Sequence, residues 1–233
     1  MTEQFTMIIL LIALGYFLKR INFIKATDSQ VIATLVLNVT LPSLVIVNLN
    51  SAELKLSFSI LPILMIIYGI VAKMIAVWFF RKYDNHMRGS VGMMTGAMNI
   101  GLFAYPLIEV IWPKTGLIYF VMADIGGAFV MFGITYFVGS YFSEGSDQFD
   151  FKYLCLHYGL ALVAGLLVYV LLPVSDDMIK TTLLVTWMFP VGVAIISYGI
   201  QFKYRTLTFI GMTTNLTIII SIIILYVYQA VFV

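Results

Sequence analysis

The sequence predicts an all-α polytopic membrane protein, a transmembrane helical bundle of about eight spans. Three observations predict it. Of the 233 residues 62% are apolar and only 10% charged, and mean hydropathy is +1.04, far too little polar surface for a soluble domain of this length. Apolar stretches of roughly 18 to 25 residues recur between short charged loops, the length a helix needs to cross the hydrocarbon layer. Runs such as residues 60–67 and 218–227 are apolar throughout, without the alternation that marks the strands of a β-barrel.

The expected spans are residues 5–18, 29–49, 58–80, 89–111, 116–142, 153–172, 181–200 and 207–231. The first is read as a retained span: Glu3 stands where a signal peptide carries basic residues, and Lys19 and Arg20 follow the apolar run. Loops after the first, third, fifth and seventh spans hold Lys19, Arg20, Lys25, Arg81, Lys82, Arg88, Lys152, Lys203 and Arg205. The opposite side holds only Lys55, Lys114 and Lys180. By the positive-inside rule this asymmetry predicts a multi-pass protein of the cell inner (plasma) membrane with both termini outside. The acidic connection 143–152 divides the chain into five spans (1–142) and three (153–233). The lipid bilayer is the expected partner. A net charge of +2 spread over the loops argues against nucleic acid, and one cysteine, Cys155, excludes an internal disulfide. His86, expected in a loop, and His157, expected near an interface, have no neighbours at metal-ligand spacing, so neither a metal nor any other cofactor is expected.

Prolines mark where helices break. Pro62 falls in a first turn, where it costs little, and Pro113 and Pro173 lie in loops or span ends. Pro42, Pro106 and Pro190 lie inside apolar spans, where each removes a main-chain hydrogen bond and clashes with the preceding turn. A lone proline can be a simple kink. Here Asn38 and Thr40 precede Pro42, Asn99 and Gly101 precede Pro106, and Thr186 and Trp187 precede Pro190. Amides and hydroxyls can bond freed main-chain groups, and glycine permits unwinding. Residues 99–106 are therefore the candidate substrate segment, a broken helix of the kind that exposes helix ends at mid-membrane.

Few ionisable residues lie within spans. Asp124 sits near the middle of the fifth, where a charged carboxylate is costly; it is the candidate for proton coupling, against the plainer role of bonding a neighbouring helix. Glu109 is expected to reach the headgroups. Lys73 is expected to snorkel to the cytoplasmic interface, with a counter-ion role toward Asp124 as the lesser alternative. Asn215 and Gln201 are read as links between helices, and the Gly92/Gly96 pair as close helix packing.

Gly15-Tyr-Phe-Leu-Lys-Arg20, Asn38-Val-Thr-Leu-Pro42 and Asn99-Ile-Gly101 with Pro106 resemble, in order and spacing, the N-terminal half of the auxin efflux carrier family, whose bacterial members are organic-anion permeases. The resemblance covers roughly the first 140 residues. It implies two inverted five-span repeats with the fourth and ninth spans unwound and crossing at the substrate site. Carried over, Asn99, Gly101 and Pro106 form the first crossover, supported by Asn38 and Pro42, with Pro190 the counterpart of Pro42. Transferring the Pro42-to-Pro190 spacing to Asn99 points beyond Val233, so the second crossover and the last span are expected to be missing from this incomplete 5+5 transporter fold.

The function expected on this basis is secondary active transport of small organic anions, coupled to a proton or sodium ion. The missing spans raise the alternative of a truncated, non-transporting remnant or an accessory subunit, and allow a homodimer or partner chain to lend the missing wall. An intramembrane enzyme is not expected: Asp124 has no second carboxylate at its depth, the histidines do not cluster, and Lys73 has no serine motif.

Overall fold

The computed structural model describes residues 2–25, 55–113, 116–143 and 152–232, with single positions between 28 and 43; among them the chain is helical and forms no strand. Most of the second expected span, Asn38 and Pro42 included, lies outside the described residues. Helix α1 (Thr2–Arg20) ends on Lys19 and Arg20, cations that suit the negative end of a helix. A short 3₁₀ turn (Leu56–Ser59) leads into α2 (Ile60–Phe79), which carries Pro62 in its first turn as expected. There follow α3 (Asn85–Met94), a π-helical turn (Ile100–Ala104) and α4 (Tyr105–Ile111). Next come α5 (Gly116–Phe129), a second π-helical turn (Val130–Thr135) and α6 (Tyr136–Tyr141), which read as one long rod. The rest of the chain forms α7 (Lys152–Leu171), α8 (Asp177–Trp187), α9 (Ala194–Gln201) and α10 (Leu207–Phe232).

Among the described residues, three stretches are long and apolar enough to cross a membrane unbroken: Leu56–Phe79, Gly116–Tyr141 and Leu207–Val231. Helix α2 shows what kind of protein this is. Leu61, Met65, Tyr68, Ala72 and Ala76 form its buried stripe, while Ile63, Ile67, Ile70, Met74 and Trp78 form an exposed one. Both stripes step by three or four residues, and both are apolar. A helix in water has a polar outer stripe; this one needs a hydrocarbon solvent.

Two helix starts are capped by aspartates. Asp84 accepts from the main-chain N–H groups of His86 and Met87 at 2.9 and 3.3 Å, fixing the start of α3. Asp176 does the same for α8 through Met178 N at 3.0 Å, and also accepts from Tyr119 Oη at 2.8 Å. His86, expected in a loop, is instead a buried member of the first turn of α3 and accepts from Arg205 N at 3.3 Å.

Helix α2 packs against α5, and Gly126 lets their main chains approach closely. A Cβ added there would stand 2.7 Å from Pro62 Cα and closer still to the Pro62 carbonyl oxygen, both main-chain atoms that cannot rotate away. Gly126→Ala is expected to wedge the pair apart and destabilise the fold by about 1–3 kcal/mol. Gly159→Ala on α7, where nothing lies within 4 Å, is expected to be neutral or slightly stabilising. Thermal unfolding of the two variants in detergent makes the comparison; equal midpoints would show that α2 and α5 do not meet at this glycine.

Candidate functional site: two crossing helix breaks

Two expected spans are each cut in two, and the cuts lie against one another. Helix α3 stops at Met94 and helical structure resumes at Ile100; α8 stops at Trp187 and α9 begins at Ala194. Between them Met98 and Val191 form an antiparallel bridge. Asn99 N donates to Pro190 O at 2.9 Å, and Gly192 N donates to Ala97 O at 2.8 Å. Each break thus supplies main-chain partners that the other lost on leaving its helix.

Local chemistry explains where the first break falls. Gly96 has φ +70°, a left-handed conformation that glycine adopts without strain. An added Cβ there would lie 3.0 Å from Gly69 Cα and 3.2 Å from Gly69 O, so α2 and the break touch main chain to main chain. Gly96 is therefore the hinge of the break, beyond the helix packing expected of it. Gly92 does serve packing: a Cβ there would crowd Val77 and Val138 at 2.8 and 2.9 Å. Pro106 stands after the break, exposed, as the second residue of α4. The preceding π-turn, in which Tyr105 N reaches back to Ile100 O, absorbs the bond that proline cannot make.

The remaining main-chain groups at the crossing are served by distant side chains. Lys73 of α2, only 2% exposed, donates from Nζ to Gly92 O, Met93 O and Thr95 O at 3.1, 3.0 and 2.8 Å. It neither snorkels nor pairs with Asp124, because its three N–H bonds all end on the carbonyls that close α3. Thr217 of α10 accepts from Val191 N at 3.2 Å through its hydroxyl, and Ser221 donates to Met188 O at 2.8 Å. His157 of α7, expected near an interface, is fully buried and bonds the main chain at Phe189. Thr186, the local candidate for easing the Pro190 break, is buried with an unpartnered hydroxyl; α7 and α10 do that work. The resemblance implied a crossing partner beyond Val233, with Pro190 answering Pro42; the segment that crosses residues 95–99 is the Pro190 segment itself.

Asp124 lies on α5, half-buried, and accepts from Tyr105 Oη at 2.7 Å. Tyr105 is 3% exposed. A Cβ added to Gly127 would meet both Ile100 Cδ1, at 3.1 Å, and Asp124 Oδ1, at 3.6 Å, which places the carboxylate beside the first residue after the break. Asn99 is half-buried and its side chain does not cap the helix that follows; Gly101 is half-buried next to it. Asp124 thus lies near Ile100, the residue between Asn99 and Gly101 in sequence. Glu109 is exposed one turn past Pro106, and Gln201 links helices by donating to Tyr136 Oη at 3.3 Å. Asn215 lies exposed on α10.

The family model described as membrane transport protein matches residues 1–151, more than half of the chain. The chain belongs to the membrane transport protein family. This is the auxin efflux carrier family that the Asn38–Pro42 and Asn99–Pro106 motifs resemble. Two curated relatives are uncharacterized transporters of archaea. That of Methanocaldococcus jannaschii is 24% identical over 149 residues, 60% of this chain and 48% of the relative. That of Methanothermobacter thermautotrophicus is 28% identical over 129 residues, 54% of this chain and 43% of the relative. The chain spans about half the length of the curated relatives it matches. No solved structure matches.

In this member of the membrane transport protein family, sequence reading missed Tyr105 and the roles of Gly96, Lys73, His157, Thr217 and Ser221. Two signals were present. Lys73 stands about 9 Å of helix axis from the end of α2, a long way for a side chain to snorkel. Tyr105 places a hydroxyl inside an apolar span directly before a helix-breaking proline. Nothing local marks the others.

Proposed function

We propose that this chain acts in secondary active transport of small organic anions across the inner (plasma) membrane, driven by a proton or sodium gradient, with both termini outside. The observation that carries this reading is the crossing of the two broken helices at Met98 and Val191, with the Asp124 carboxylate near Ile100 at the end of the first break. Below Asn99 a helix begins at Ile100 without a side-chain cap. Its main-chain N–H groups and positive end suit a carboxylate, and the Asn99 amide adds a donor. Asn38 and Pro42, by the family resemblance, support the same segment. Asp124, held by Tyr105, is the group that exchanges a proton during the cycle. Movement of the bundle that carries the crossing against the remaining helices alternates access.

The test is reconstitution into proteoliposomes with a panel of labelled dicarboxylates. Uptake of at least one of them, stimulated by an imposed pH or sodium gradient and abolished when the gradient is collapsed, is the expected result. No uptake of any member by folded, inserted protein would remove the carrier reading for this chain.

A further inference from the structure

The carbonyls of Gly92, Met93 and Thr95 converge on one point at the C-terminal end of α3, each within 3.1 Å of the Lys73 Nζ atom. The C-terminal end of a helix carries a partial negative charge, and its last carbonyls have no partner within the helix. In carriers built on broken helices, such carbonyls coordinate a sodium ion. Here the centre of the cluster is filled by an ammonium that arrives from a different helix, 2% exposed and with no acidic side chain among the three acceptors. We propose that this carbonyl cluster is a seat for a monovalent cation and that Lys73 occupies it as a tethered cation, so that the break binds no exchangeable sodium there.

The geometry has two consequences. A tethered charge cannot diffuse away, so this end of the break stays neutralised whatever the sodium concentration, and any coupling at the crossing runs through another group, of which Asp124 is the candidate. Removing the ammonium while leaving space exposes three converging carbonyls to a mobile ion of the same charge. The inference rests on the geometry of the break and not on transport, so its failure would leave the carrier reading standing.

Thermal unfolding of the purified full chain in detergent, in sodium chloride against choline chloride at equal ionic strength, tests it. The native protein is expected to unfold at the same temperature in both salts. Lys73→Ala, which vacates the seat, is expected to unfold lower in choline and to regain about 5–10 °C at saturating sodium, the shift that a bound ion of moderate affinity provides. Lys73→Met, which fills the seat with an apolar chain, is expected to be lowered equally in both salts. Two results would overturn the proposal: a native protein stabilised by sodium as strongly as Lys73→Ala, or a Lys73→Ala protein that behaves alike in both salts, failure to fold in either included.

Discussion

Asp124→Asn is expected to lower gradient-driven uptake by about 5- to 150-fold, the span of coupling free energies of about 1–3 kcal/mol, while the amount of protein in the membrane stays unchanged. The separation of the two readouts follows from the site. Asparagine has nearly the shape of aspartate and still offers an oxygen to Tyr105 Oη, now 2.7 Å from the carboxylate, so packing between α4 and α5 survives. What asparagine lacks is a proton to exchange. Tyr105→Phe makes the opposite change. It removes the hydrogen bond, at a cost of about 1 kcal/mol of stability, and leaves the carboxyl free to titrate. That variant is expected to keep its response to a pH gradient. Uptake into proteoliposomes with and without the gradient separates the pair; full gradient stimulation in Asp124→Asn would leave the carboxyl with a structural role alone.

Gly96→Ala is expected to destabilise the fold by about 2–5 kcal/mol. Two costs add at this position. A residue with a Cβ is strained at φ +70°, by roughly 1–2 kcal/mol. The added methyl would also sit 3.0 Å from Gly69 Cα and 3.2 Å from Gly69 O, so relief requires α2 to move as a body. Lys73 lies one turn along the same helix, and its three bonds to the end of α3 would be disturbed with it. Gly211→Ala on α10, with open space around it, is the control and is expected to change little. The unfolding midpoint of Gly96→Ala in detergent is the measurement; a midpoint equal to that of the native protein would place the hinge elsewhere in residues 95–99.

The helix ends show how far sequence reading reaches. Expected spans 58–80, 116–142 and 207–231 match Leu56–Phe79, Gly116–Tyr141 and Leu207–Val231 within a few residues, because hydrophobic length is a property of each segment alone. The two interrupted spans were legible from Pro106 and Pro190 for a similar reason: proline breaks a helix through its own ring, whatever surrounds it. The position of the first break was less legible. Pro106 announced it, yet the chain turns at Gly96, because the π-turn accommodates the proline while the left-handed hinge needs a glycine packed against another main chain.

Composition, span length, proline and the family motifs therefore determined, from the amino-acid sequence alone, a helical member of the membrane transport protein family with helices interrupted near Asn99 and Pro190. Only the tertiary structure decided that these interruptions meet, that Lys73 closes the end of α3, and that His157, Thr217 and Ser221 serve the second break. The physical reason is that a main-chain group released inside a membrane must find a partner, but any helix the fold brings near can supply it. A broken helix is written in its own residues; what completes it is written in the residues of its neighbours.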